Sequence, residues 1–424
     1  MQDLNLSKIN TSKILSASKV FFVGIGGIGI SAIARMMFLE GKEVSGSDMS
    51  ENELTRELKE IGIKVVIGQG FELIPPDVDL IVYTIAIPHY DQKLFNQIID
   101  SSILHKSYPE MLGLVTANKN TIAVAGTHGK TTTTAMIAKI LMDAKRDPSV
   151  IVGSLLKGYK SNLIIGKSDL FVVEACEYER SFLNLRPKVL VITNIEAEHL
   201  DYYKDINDIK SAFKQLENQS EKVIYNYEKY LEKVPKLLVP GQHNRMNAAA
   251  ALAVADFLHI EEEVAQKALS EFSGTWRRLE KKGETKEGVI IYDDYAHHPT
   301  EVRASLLGLR ELYPKGEKII TVLFQPHLYS RTKALFNEFV TCFDDADNVL
   351  LLPIYFAREN PDPEVSSGKL AEAIRLHRGE AVAFNSFTEA EEWLGKMKLG
   401  PKDVFVTMGA GEAYKVTEKV FKLT

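Results

Sequence analysis

Ala123-Val124-Ala125-Gly126-Thr127-His128-Gly129-Lys130-Thr131-Thr132 joins an apolar run to a helix-forming run through a glycine turn. Residues 121–125 read as a strand and 131–144 as a helix, so the turn sits at a strand-to-helix junction. Val124 stands where a strict G-x-x-x-x-G-K-T loop has its first glycine, and the rest of the loop keeps its chemistry. Gly129 permits close backbone approach, Lys130 brings a point charge to β- and γ-phosphates, and the Thr131 hydroxyl suits Mg²⁺. Thr132 adds a further hydroxyl to the first helical turn, where anions are already favoured. Together with Gly126, Thr127 and His128 these residues form a candidate ATP site.

Outward from this loop the chain alternates strands and helices. Towards the amino terminus, strands are expected at 19–23, 43–47, 64–67 and 80–84, with helices at 31–40 and 51–61. Towards the carboxyl terminus, 170–174 and 189–193 have the continuous apolar character of strands buried on both faces. Residues 244–258 are Ala-rich and helical by propensity. A further cycle places strands at 288–292, 318–324, 348–353 and 403–407, and helices at 299–312 and 333–343. Such βαβ repetition implies mostly parallel sheets. The expected organisation is α/β in three domains, at 1–118, 119–276 and 277–424: a Rossmann-like first domain, a central P-loop ATPase-like domain with a mostly parallel sheet, and a Rossmann-like last one.

A second glycine loop, Gly24-Ile25-Gly26-Gly27-Ile28-Gly29, also follows a strand and opens a helix. Gly24, Gly26, Gly27 and Gly29 would let main-chain N–H groups and the helix start meet a diphosphate. Ser47 ends the next strand and Asp48 follows it, at about the distance where an acidic residue meets a ribose hydroxyl. Taken alone the pair suggests an NAD-dependent enzyme, yet the chemistry specifies a diphosphate rather than a particular nucleotide.

Ligands of open α/β sheets gather at the carboxyl ends of strands. Glu174 ends one apolar strand and His199 follows another, so both are candidates to face Lys130. Glu174 offers oxygen, which Mg²⁺ prefers, whereas His199 is a less natural ligand for so hard a cation. Cys176 reads as a small buried side chain.

Composition excludes several function classes. The 424 residues are 45% hydrophobic and 25% charged with a net charge of −6, which argues against a surface built to neutralise nucleic acid. Two distant cysteines, Cys176 and Cys342, imply neither a disulfide framework nor a metal knot and fit a reducing cytoplasm. The polar start, residues 1–13, has no apolar core of a leader, and no run reaches the ~20 apolar residues of a membrane span.

Five blocks in order resemble the Mur ligase family, the ATP-dependent peptide ligases of peptidoglycan synthesis: 126–131 (GTHGKT), 193–199 (TNIEAEH), 241–247 (GQHNRMN), 276–278 (WRR) and 293–299 (DDYAHHP). The resemblance covers essentially the whole chain. The first glycine loop with Asp48, and 324–332 (FQPHLYSRT), are most similar to the alanine-adding members. That implies UDP-N-acetylmuramate and L-alanine as substrates, with the first loop gripping the UDP-sugar in place of NAD. It implies Thr131, Glu174 and His199 at two Mg²⁺ sites, with Lys130 on the phosphates. It implies Asn244, Asn247, Arg278 and Asp294 around ATP, Arg278 also serving catalysis. Tyr295, His297, His327 and Arg331 would receive the amino acid. A cytoplasmic enzyme, monomeric or weakly dimeric, is expected.

Each residue also has a plainer reading: Asn244 and Asn247 as helix caps, Arg277 and Arg278 as a solvated pair, and His297-His298-Pro299 as a helix start. The stretch 174–182 (EACEYERSF) replaces the E-A-D-E-S-D pattern of alanine-adding enzymes, and Tyr178 resembles the related recycling ligase that attaches a murein tripeptide. Leu328 stands where some alanine ligases have Arg, and the segment 221–240 is short for the family. The alternatives are the recycling ligase, an NAD-dependent oxidoreductase and a non-catalytic nucleotide-binding protein.

Overall fold

In this computed structural model the described residues are 12–156, 161–199, 202–356 and 359–424. Nearly all of the polar start read as leaderless lies outside them. Three α/β layers are present, each built on one sheet. The first sheet contains β1 (Lys19–Val23), β2 (Glu43–Asp48), β3 (Lys64–Ile67), β4 (Leu80–Tyr83) and β5 (Leu104–Ser107). Their order is β3-β2-β1-β4-β5 and every pair is parallel. The order reverses between β1 and β4, which opens a crevice at the carboxyl end of β1.

The second sheet contains β6 (Asn120–Ala125), β7 (Ser149–Leu156), β8 (Ser161–Ile164), β9 (Leu170–Glu174), β10 (Val189–Ile192) and β11 (Lys222–Ile224). The order is β11-β10-β6-β9-β7-β8, with only the edge strand β8 antiparallel. Central strand β6 is flanked by β10 and β9, so the loop after β6 lies between the ends of those two. The buried runs Val189–Ile192 and Phe171 to Val173 explain why these strands carry no polar alternation: both faces are covered.

The third sheet contains β12 (Glu280–Glu284), β13 (Ile290–Asp294), β14 (Ile319–Phe324), β15 (Asn348–Leu351), β16 (Ala381–Ala383) and β17 (Asp403–Met408). The order is β12-β13-β17-β14-β15-β16, with β12 antiparallel at the edge.

The described chain forms two compact units. The first holds the first two sheets with Ala248–Leu269, and the second holds Val234–Asn247 with Ser270–Thr424. Within the first unit the two sheets are tied together by Asn162 of β8. Its amide donates to the Ile28 carbonyl and to Ser31 Oγ at 2.9 Å, in the first turn of the helix Ile28–Leu39.

Several elements differ from expectation. Residues 333–343 form no single helix; Tyr329–Ala334 and Phe336–Thr341 are separate short helices broken at Leu335. The helix expected at 51–61 begins at Glu53, because Asn52 and Thr55 form a reciprocal capping box. Among the described residues no helix is long and apolar enough to cross a membrane.

Candidate active site

The phosphate loop owes its shape to one backbone conformation. Gly129 has φ 83° and ψ −5° and serves as the N-cap of the helix Lys130–Asp143. That left-handed geometry suits glycine and turns the first-turn N–H groups of the helix towards the end of the sheet. Neighbouring strands hold the loop. Thr127 N–H donates to Asn194 O at 3.0 Å, and His128 N–H to Asn194 Oδ1 at 2.9 Å. Thr193 Oγ1 donates to His128 O at 2.6 Å. Thr193 and Asn194 follow β10, so 193–199 is a brace for the loop as well as a carrier of His199.

Lys130 lies along the inside of the loop. Its ammonium donates to Gly126 O at 2.6 Å, Thr127 O at 3.0 Å and Glu177 Oε1 at 3.1 Å, and Glu177 Oε2 is 2.9 Å away. Burial opposes its charge, but Glu177 more than compensates and holds its pKa above the ordinary lysine value. Burial also pushes the Glu177 carboxyl upward, while Lys130 and His199 outweigh it and leave the pKa below the ordinary value. Thr131 Oγ1 donates to Glu174 Oε2 at 3.2 Å, and the other carboxylate oxygen accepts Gly153 N–H at 2.6 Å. Thr132 is buried in the same helical turn.

His199 joins this group from the other side. Its Nε2 is 3.5 Å from Glu177 Oε1, and its ring packs on Tyr178 with centroids 4.9 Å apart. Ligand atoms of Glu177, Glu198 and His199 all lie within 4.8 Å of one another. The structure therefore gathers Lys130, Thr131, Glu174 and His199, and adds Glu177, which the sequence reading passed over. Two more acidic residues in the same short stretch, Glu174 and Glu179, masked its significance. Glu179 and Arg180 both have left-handed backbone, φ 51° and 55°, a reversal that no periodicity announces. Cys176 is exposed rather than buried. Crowding around the thiol, followed by the Glu177 charge, pushes its pKa up to about 12.

The first glycine loop is braced in the same way. Gly24 and Ile25 N–H groups donate to Ser47 O at 2.8 and 3.0 Å, and Gly26 N–H donates to Asp48 Oδ2 at 2.8 Å. Asp48 thus shapes the loop, a role different from the ribose contact its position suggests. Gly27 is the N-cap of Ile28–Leu39. At Gly29 a Cβ would stand 2.6 Å from the Tyr108 hydroxyl, so the absent side chain lets that ring lie against the helix start.

The second unit carries its own cluster. Arg277 is buried, with Nε 2.7 Å from Asp293 Oδ2, Nη1 donating to Gly411 O at 3.1 Å and Nη2 to Gly409 O at 2.7 Å. The expected solvated arginine pair is therefore wrong for Arg277. Its neighbour Arg278 is partly exposed, 3.9 Å from Glu301, and lies over the Tyr295 ring. Asp294 accepts from Ser305 Oγ and from Ala296 N–H at 3.1 Å, and burial pushes its pKa up to about 6.

His297 is lowered well below the ordinary histidine pKa, by burial first, with Glu301 opposing. Its Nδ1 is 3.1 Å from Tyr295 O, which assigns the proton to Nδ1 and makes Nε2 the acceptor nitrogen. The His327 ring lies 5.8 Å from His297 and stacks on Tyr355, while Arg331 Nη1 contacts its Nδ1 at 3.1 Å. Asn244 and Asn247 are not caps. They are buried inside Gln242–Phe257, where the Asn244 amide donates to Pro240 O at 2.7 Å and the Asn247 amide to Asn244 Oδ1 at 3.4 Å.

Comparison with known proteins places the chain in a family. Residues 19–120 match the Mur ligase family catalytic domain, 124–238 the Mur ligase middle domain, and 277–411 the Mur ligase glutamate ligase domain. The chain belongs to the Mur ligase family. It is 38% identical to the UDP-N-acetylmuramate–L-alanine ligase of Clostridium perfringens, over 95% of this chain and 98% of the relative. It is 39% identical to the enzyme of the same name from Agathobacter rectalis, over 98% and 99%. The solved UDP-N-acetylmuramate-alanine ligase of Thermotoga maritima superposes with a TM-score of 0.80 at 27% identity, covering 95% of this chain and 98% of that one. A murein peptide ligase from Psychrobacter arcticus shares the Mur ligase fold, at TM-score 0.68 and 21% identity.

Proposed function

We propose that this Mur ligase joins L-alanine to the lactyl carboxylate of UDP-N-acetylmuramate at the expense of ATP, releasing ADP and phosphate. The carrying observation is the phosphate loop itself, with Lys130, Thr131 and Glu174 assembled at one sheet end in a chain whose curated relatives are alanine ligases. Behind the tripeptide-recycling reading stand Tyr178 and a fold-level likeness, and no curated relative described above carries that activity. NAD chemistry is set aside, because the first glycine loop is read as the grip on the UDP-sugar diphosphate, at the helix start Ile28–Leu39.

The chemistry follows from what a carboxylate needs in order to acylate an amine. The lactyl carboxylate attacks the γ-phosphorus of ATP, giving an acyl phosphate and ADP. Lys130 and the N–H groups of the helix Lys130–Asp143 stabilise charge on the transferred phosphoryl oxygens. Thr131 and Glu174 present oxygen donors that fit Mg²⁺, and Glu177, Glu198 and His199 form a second candidate cation position. Bound Mg²⁺ would supply Lewis-acid neutralisation of phosphate charge there. The amine of alanine then attacks the acyl carbon, and the tetrahedral intermediate expels phosphate. By residue type, His199 or His297 takes the proton from the alanine ammonium. Tyr295, His327 and Arg331 line the same cluster, and Arg331 offers the charge for the alanine carboxylate. Asn244, Asn247, Arg278 and Asp294 are assigned to ATP. The enzyme is placed in the cytoplasm as a monomer or weak homodimer.

Phosphate release with ATP, UDP-N-acetylmuramate and a panel of amines tests the reading. L-Alanine should drive it and murein tripeptide should not; the reverse result would favour recycling. Lys130→Ala should abolish turnover while UDP-sugar binding persists, and wild-type-like ligation by that variant would remove Lys130 from the chemistry.

A further inference from the structure

An ammonium has three N–H donors, and all three of Lys130 are used: Gly126 O, Thr127 O and Glu177 Oε1. Lys130 can reach a phosphate oxygen only by giving up one of them. The two carbonyls belong to the loop that would itself cradle the phosphate, whereas Glu177 comes from the segment after β9. Glu177 is also the only one of the three that bears a charge. A phosphate drawn to Lys130 in this position would meet the Glu177 carboxylate as well, and like charges at such range are strongly unfavourable in a buried site.

Glu177 has a second place to turn. It is 3% exposed, and its Oε2 is buried without a hydrogen bond, touching Lys130 only as an ion pair at 2.9 Å. Ligand atoms of Glu198 and His199 lie within 4.8 Å of its own. The segment's backbone stays anchored during any such exchange, because the Tyr203 hydroxyl donates to Glu177 O.

We infer that Glu177 is a positioning residue that holds Lys130 back from the phosphate site and releases it when a divalent cation takes the carboxylate. The inference rests on the ATP reading of the loop and goes beyond it: it makes the divalent cation a requirement for freeing Lys130, in addition to its direct effect on the phosphates. A residue that merely supported the fold would weaken nucleotide binding when changed. Glu177 as a restraint on Lys130 does the opposite.

The test is titration of a fluorescent ATP analogue into the full chain, with EDTA and with excess Mg²⁺. Glu177→Gln should bind the analogue in EDTA roughly tenfold more tightly than wild type, and should depend less on Mg²⁺. In a Lys130→Ala background the same change should give no such gain, since there is no lysine to release. Unchanged or weaker binding by Glu177→Gln in EDTA, with a wild-type unfolding profile, overturns the inference. So does a gain that persists without Lys130, because it reports simple charge removal. Failure of wild type to bind the analogue even with Mg²⁺ would instead refute the ATP reading.

Discussion

Replacing Arg277 with alanine should loosen the third sheet far more than its place in a charged dipeptide suggests. The guanidinium forms one ion pair and two hydrogen bonds to the Gly409 and Gly411 carbonyls, and lies over the Tyr414 ring at 4.5 Å. Arg277→Ala leaves Asp293, 2% exposed, with Thr407 Oγ1 as its remaining hydrogen-bond donor. Breaking one side of a buried ion pair costs about 3–5 kcal/mol. The two carbonyls add to this, but neighbouring losses in one network are not additive, so about 4 kcal/mol is the expectation. Because the chain has two compact units, one melting curve is a poor measure. Amide hydrogen exchange along Ile290–Asp294 and Asp403–Met408 reads the effect directly, as a roughly 10³-fold loss of protection. Arg277→Lys keeps one charge contact but cannot span both carbonyls, and should fall between. Protection within a factor of ten of wild type in Arg277→Ala would refute the reasoning.

Two further perturbations test the site. The Asp294 pKa is raised from 3.8 to about 6, so ionisation penalises the folded state and wild type loses stability as pH rises between those values. Asp294→Asn should therefore stabilise the second unit at pH 8 by up to roughly 3 kcal/mol. That gain should vanish near pH 4, and exchange protection measured at both pH values checks it. A Cβ on Gly153 would stand 2.8 Å from Glu174 Oε2. Gly153→Ala should thus displace that carboxylate and raise the Mg²⁺ needed for half-maximal phosphate release about tenfold; an unchanged Mg²⁺ titration would remove Glu174 from the cation site.

Elements with strong local signals could be read from sequence, and those set by partners could not. β6, β9 and β10 each contain an unbroken run of four apolar residues, and both glycine loops follow strands, so the layers around them were legible. Strands β5, β8, β11 and β16 have three or four residues each and gain their identity from a neighbour in the sheet. Ser161–Ile164 is a strand because β7 pairs with it, and nothing in SNLI requires that. The 333–343 stretch has helical composition, yet the chain enters it through Leu328 at φ 71°. That strained entry and the break at Leu335 leave two short helices.

The same division runs through the active site. Lys130, Thr131 and Glu174 sit at positions that strand ends and glycine loops fix, so their proximity follows from type and spacing. Glu177 pairs with Lys130 from a segment whose next turn, Glu179 and Arg180, is left-handed, and no periodicity announces that. Arg277 and Arg278 are adjacent and chemically identical, yet one is buried against Asp293 while the other lies partly exposed over Tyr295. Arg277 and Leu279 both adopt left-handed backbone, φ 54° and 45°, and this local reversal accompanies the different environments of the two arginines. Residue type therefore locates candidate site groups where regular structure dictates direction. Where the backbone reverses, the charge balance decides: Glu177 is held because Lys130 needs a buried counter-charge, and Arg277 because Asp293 does.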